Sequence, residues 1–126
     1  MNSSVLGWLE IAIRRDFPFK AGKVLEVGSL DVNGNPRYLF PDADEYIGID
    51  MNPGKNVDVI CEAKNLHTIF EAASIDTLLC CEMLEHDPTF WLSIEQFKRV
   101  LKVGGYLIVT TPYHTCPEHG SPLDFW

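Results

Sequence analysis

The sequence predicts an α/β fold built on a doubly wound, mostly parallel sheet, and three observations carry the prediction. Five short segments rich in β-branched and apolar residues recur along the 126-residue chain. Several are apolar on both faces, as strands are when helices cover a sheet from each side. Helix-compatible stretches separate them, and such alternation gives parallel strands joined by crossovers.

The first element is helical. Residues 3–17, SSVLGWLEIAIRRDF, place Val5, Leu6, Leu9 and Ile13 at helical spacing, with Ser3 or Ser4 as a cap. Pro18 closes it, because the residue before a proline is pushed out of the helical region. After PFKAGK, the strand candidates are KVLEV at 23–27, EYIGID at 45–50, VDVIC at 57–61, IDTLLC at 75–80 and YLIVT at 106–110. MNPGKN, between the second and third, is short for a crossover helix and predicts an irregular link. The clearest helix is PTFWLSIEQFKRVLK, 88–102, with an apolar stripe of Phe90, Trp91, Ile94, Phe97 and Leu101. Asp87 and Pro88 start it, Lys98, Arg99 and Lys102 suit its C-terminal dipole, and Gly104 and Gly105 stop it. No repeat or low-complexity segment interrupts residues 1–126, which predicts one domain.

Composition narrows the function classes. A formal charge of −8, from 10 basic and 18 acidic side chains, argues against a broad nucleic-acid surface, which needs Lys and Arg to displace counterions. The run VLGWLEIAI is too short and interrupted to cross a bilayer, and its arginines follow the apolar residues where a signal peptide has them before. Of the cysteines, Cys61, Cys80, Cys81 and Cys116, two are adjacent on one strand and point to opposite faces, a poor disulfide framework. Reduced thiols and a cytoplasmic location are expected.

In a doubly wound sheet the ligand lies beyond the carboxyl ends of the strands, where strand order reverses, so the chemistry should follow residues 28, 50, 61, 81 and 111. At the first end stand Glu26, Gly28, Ser29, Leu30 and Asp31. Glycine lets the backbone approach a ligand, and the turn beyond offers N–H groups; a buried strand followed by a turn uses the same residues. At the second end Asp50 can accept both hydroxyl hydrogens of a ribose diol, or start an Asx turn before Asn52 and Pro53. Together the two ends point to an adenosine-type ligand, with Met51 an apolar shelf for its base. Glu62, after the third strand, can accept from an exocyclic amino group or stand as a solvated acid. After the fourth, the backbone around Cys81 and Glu82 faces the ligand, and Glu85, His86 and Asp87 add acid–base groups. His86 can orient a substrate or take a proton, or merely cap the next helix.

The ordered pieces VLEVGS, YIGID, VDVICEA, SIDTLLCCEMLEHD and RVLKVGGYLIVTTP resemble the class I S-adenosylmethionine-dependent methyltransferases, especially the methyltransferase-eleven branch. The likeness covers residues 23–112 and is strongest in LKVGGYLIVTTP, with Val103 where the family has proline. It implies that Glu26, Gly28 and Ser29 contact the methionine portion of S-adenosyl-L-methionine, that Asp50 with Met51 holds the ribose, and that Glu62, in place of the commoner aspartate, approaches the adenine. Leu30 and Val32 then belong to a variant of the family's loop.

The family usually continues through a helix and two further strands, so a sheet lacking its last strands is expected here, with an exposed edge open to self-association. The tail HTCPEHGSPLDFW resembles the segment where family members bind substrate. The leading expectation is methyl transfer to an oxygen or nitrogen of a small-molecule acceptor, with His86, Tyr113, His114 and His119 as candidate bases. An inactive, methyltransferase-like binding or regulatory module is the alternative. A nicotinamide-dependent oxidoreductase is disfavoured because position 30 is Leu and position 33 Asn in place of loop glycines. His114, Cys116 and His119 provide only three clustered ligands and no Cys-x-x-Cys pair, so no metal is expected.

Overall fold

The computed structural model describes residues 3–17, 20–113 and 117. Its elements are α1 (Ser3–Asp16), β1 (Lys23–Val27), β2 (Glu45–Asp50), β3 (Val59–Ile60), β4 (Ile75–Cys81), α2 (Phe90–Val100) and β5 (Leu101–Thr110), with 3-10 turns at Arg37–Leu39, Ala63–Thr68 and Leu84–His86. All four strand pairings are parallel and the order is β3-β2-β1-β4-β5. Successive strands run outward from β1 on one side and from β4 on the other, so the reversal of strand order falls between β1 and β4.

Alternation along the central strands divides the core into two layers. Leu25 and Val27 of β1 and Leu78 and Cys80 of β4 join Leu66, Phe70, Phe97 and Val100 on the face covered by α2 and the Ala63–Thr68 turn. Val24, Leu79 and Cys81 point the other way, onto Leu9, Val5 and Ile13 of α1 and onto Phe40. The adjacent cysteines therefore sit in opposite layers, as the strand period requires. Cys61, Cys80 and Cys81 are free thiols, and burial pushes Cys81 up to about 12.

β1 and β2 have the predicted bounds, and β4 gains one residue. Three expectations need correction. β3 shrinks to two residues because Val57 and Asp58 belong to the loop that folds back on β2. The stripe of α2 is Phe90, Ser93, Ile94, Phe97 and Val100, while Trp91 turns to solvent; the spacing of 3 and 4 residues from Phe97 fits the buried set better. The helix also ends before its glycines. Leu101 is already extended, and β5 runs through Gly104, whose φ of 80° marks the slip in register between Ile75 and Thr77.

Candidate functional site

The end of β1 is a turn made possible by Gly28. Its φ is 78°, and a Cβ there would come within 2.8 Å of the Met83 side chain, so only glycine lets the loop after β4 pack onto the turn after β1. The amides of this turn are already engaged. Gly28 and Ser29 N–H both donate to the Ile49 carbonyl at 3.0 and 2.9 Å, Leu30 N–H to Asp50 Oδ2 at 3.3 Å, and Asp31 N–H to the Lys55 carbonyl at 3.0 Å. The expectation that these N–H groups would meet a ligand is thereby corrected: they hold the turn to β2 and to the loop beyond it. No helix starts there either, so the usual cradle for a pyrophosphate is missing from residues 28–36.

What the site offers is acceptors. Glu26, on the central strand, is 3% exposed and accepts from Tyr46 Oη at 2.9 Å and Asn56 Nδ2 at 2.8 Å, both on Oε2. Burial pushes its carboxyl up to about 7, against the pull of those two donors and of Arg37. Asp50, at the end of β2, takes the Asn52 amide on Oδ1 at 2.9 Å and the Leu30 amide on Oδ2. The Asx turn is thus present, and it aims the carboxylate while leaving acceptor capacity on both oxygens. Glu62, after β3, is exposed and paired with Lys64 at 2.8 Å. Ser29 is buried, but its hydroxyl lies against Gly48, so only its backbone borders the turn.

Between these ends opens a cleft of about 340 Å³ lined by Met51, Ile60, Cys61, Glu62, Asn65, Thr68 and Ile69. Met51 is 65% exposed and forms one wall, as a shelf for a planar base would. A larger concavity of about 520 Å³ lies at the other end of the strands, around Phe17, Lys20, Tyr38 and Phe40, and holds none of the predicted residues.

Cys81 is buried at the end of β4, and Glu82 follows with a φ of 53°, its N–H donating to the Thr110 carbonyl at 3.0 Å. His86 lies beyond, exposed, with Nε2 3.6 Å from the fully buried Glu85 carboxylate. Tyr113 is exposed after β5. His114, Cys116 and His119 lie outside the described residues. Among the described residues no group of His, Cys, Asp and Glu has metal-binding geometry, and no helix is long and apolar enough to cross a membrane.

Sequence reasoning missed Asn56, Tyr46 and Arg37, which surround Glu26. The Arg37 guanidinium lies 4.7 Å from the centre of the Tyr46 ring and pairs with Asp58, whose carboxylate also accepts the Gly48 amide at 2.7 Å. These residues leave no periodic signal, because their contacts join β1 and β2 to two separate connections.

Besides its one carboxylate, S-adenosylmethionine presents a sulfonium, an ammonium, a ribose diol and an adenine amino group, all cationic or hydrogen-donating. Carboxylates from three consecutive strands, Glu26, Asp50 and Glu62, flank the glycine turn and the cleft and match that set. A dinucleotide would bring a pyrophosphate, for which residues 28–31 leave no free amide.

The model of the family described as Methyltransferase domain, the methyltransferase-eleven family, matches residues 25–109, more than half of the chain. No curated protein matches it. Among solved structures, the YcgJ protein of Bacillus subtilis is similar at a TM-score of 0.70 with 22% identity, covering 87% of this chain and 51% of that one. A SAM-dependent methyltransferase from Archaeoglobus fulgidus has a TM-score of 0.64 with 21% identity, covering 87% and 54%. One from Aquifex aeolicus has 0.64 with 16% identity, covering 93% and 78%. At these identities the likeness is one of fold, and the chain spans about half the length of the first two. The match over β1 to β5, on a sheet whose order reverses beside Gly28, identifies the chain as a member of the methyltransferase-eleven family with the S-adenosylmethionine-binding fold.

Proposed function

We propose that this chain is the cofactor-binding core of an S-adenosylmethionine-dependent methyltransferase, one domain over residues 1–126, acting on an oxygen or nitrogen of a small-molecule acceptor. The observation that carries the reading is the set of three carboxylates at three successive strands beside one glycine turn and one cleft. The cofactor supplies a sulfonium methyl already activated for in-line displacement. The chain's own residues align and desolvate the reactants, an effect able to contribute roughly 7–11 kcal/mol. Asp50 holds the ribose hydroxyls, Met51 shelves the base, and Glu62 accepts from its amino group. Glu26 receives the methionine end, with Gly28 and Ser29 forming the turn packed beside it, and the backbone of Cys81 and Glu82 closes the other side.

Of the candidate bases, His86 has the Glu85 carboxylate near its ring to orient it; Tyr113, His114 and His119 stand with it as candidates. A net charge of −8 favours neutral or cationic acceptors over nucleic acid. Free thiols suit a cytoplasmic location. The exposed apolar edge at β5 favours a second reading, a methyltransferase-like module that acts by association.

Calorimetric titration with S-adenosylmethionine, S-adenosylhomocysteine and NAD tests the assignment. Micromolar binding of the two methionine-derived ligands and none of NAD is expected. Asp50→Ala should weaken S-adenosylhomocysteine at least about tenfold, since one charge-assisted bond contributes roughly 1.5–3 kcal/mol. A wild-type chain that binds no nucleotide would sink the reading; binding without transfer to any acceptor would favour the module.

A further inference from the structure

The connection from β2 to β3 has eight residues, too few for a crossover helix, and it folds back across β2. Asp58 N–H donates to the Gly48 carbonyl at 2.8 Å, and a Cβ at Gly48 would lie 2.2 Å from the Asn56 carbonyl oxygen. At the centre of this return stands Asn56 with a φ of 69°, a left-handed conformation that asparagine tolerates better than most residues. Its Nδ2 donates twice, to Glu26 Oε2 at 2.8 Å and to the Ser29 carbonyl at 2.9 Å. Beside it Lys55 holds Asp31, by ion pair at 2.8 Å and by carbonyl. One carboxamide thereby joins the buried acid of β1, the turn after β1 and the loop that begins with Asp50 and Met51.

We propose that Asn56 is a positioning residue for cofactor binding, fixing the Glu26 carboxylate and the Gly28–Asp31 turn relative to Asp50. The role rests on the cofactor reading given above. Its chemistry is specific to asparagine: both amide protons are used, glycine would keep the backbone conformation without them, and aspartate would set a second carboxylate against Glu26. Tyr46 from β2, Arg37 and Asp31 from the β1–β2 connection and Cys81 from β4 also face Glu26. Because Asn56 favours the ionised form, its loss moves the titration of Glu26 further upward.

The test is S-adenosylhomocysteine affinity between about pH 6 and 8.5, together with amide hydrogen exchange, on wild type, Asn56→Gly and Asn56→Asp. Affinity should fall below the Glu26 titration in wild type. Asn56→Gly should bind about tenfold more weakly at pH 7.5, with the midpoint of its pH profile moved upward, and Asn56→Asp should lose more than Asn56→Gly at pH 8, its midpoint moved further upward still. In both variants the Leu30 and Asp31 amides should exchange at least about tenfold faster while Leu79 is unchanged. Wild-type affinity and an unmoved profile in Asn56→Gly would overturn the proposal. Failure of wild type to bind defeats the cofactor reading instead, and unchanged exchange at Leu30 and Asp31 would then overturn the positioning role independently.

Discussion

Glu26 is buried on the central strand with two donors on one oxygen, and desolvation there outweighs them. Its folded value of about 7 lies above the ordinary glutamate value near 4.5. Between these limits the native chain holds a proton that the unfolded chain has released, so stability falls as pH rises through that window and levels off above about 7. Glu26→Gln should remove this dependence: thermal melts are expected to show the variant more stable than wild type at pH 8, by up to about 3 kcal/mol, and little different at pH 5. The same variant should bind S-adenosylhomocysteine more weakly, a trade of affinity for stability common at functional sites. A melting temperature with no pH-dependent difference between the two chains would refute the assignment. Asp50 and Met51 were legible in the sequence because the end of a strand fixes where they stand. Asn56 was not, since its role depends on a left-handed φ and on a loop returning across β2, and neither leaves a pattern in one dimension.

At the scale of the element, the turn that leads into α2 depends on Asp87. Asp87 Oδ1 accepts the Thr89 amide at 2.8 Å and the Thr89 hydroxyl at 3.0 Å, while Oδ2 accepts the hydroxyl of buried Ser93 at 2.5 Å. One side chain braces the N-cap residue Thr89 and satisfies a polar group on the buried face. Asp87→Ala should cost about 1–2 kcal/mol, read as a fall of several degrees in melting temperature, and Asp87→Asn should restore part of it. Loss no greater than for an exposed surface substitution would contradict this bracing role. The sequence signal for this start, Asp87 followed by Pro88, marks the turn that leads into the helix, which begins two residues after Pro88, at Phe90, with Thr89 as its N-cap. The stop misled, because Gly104 and Gly105 serve a different local need. Gly104 supplies the positive φ of the register slip, and Gly105 lets β5 pass close to the Asp76 carbonyl, where a Cβ would lie at 2.9 Å.

For the whole molecule, strand and helix alternation made the doubly wound class legible, but the reversal between β1 and β4 follows from pairings that no segment encodes alone. The same order places β5 at an edge, paired only with β4 among the described residues. Tyr106, Leu107 and Val109 are 42%, 45% and 36% exposed along it, apolar side chains on both faces of a strand whose described ladder is on its β4 side. Such an edge templates pairing with another chain, while a net charge of −8 opposes close approach. Salt screens the repulsion and leaves the apolar contact in place, so association should strengthen with ionic strength, the reverse of an ion-pair interface. Sedimentation of the purified chain is expected to shift to larger species with concentration and with salt. Leu107→Lys with Val109→Lys should restore a monomer without loss of S-adenosylhomocysteine binding, because the cleft beside Met51 lies across the sheet, beyond β2 and β3. A wild-type chain that stays monomeric at every concentration and salt level would show that the β5 edge does not drive assembly.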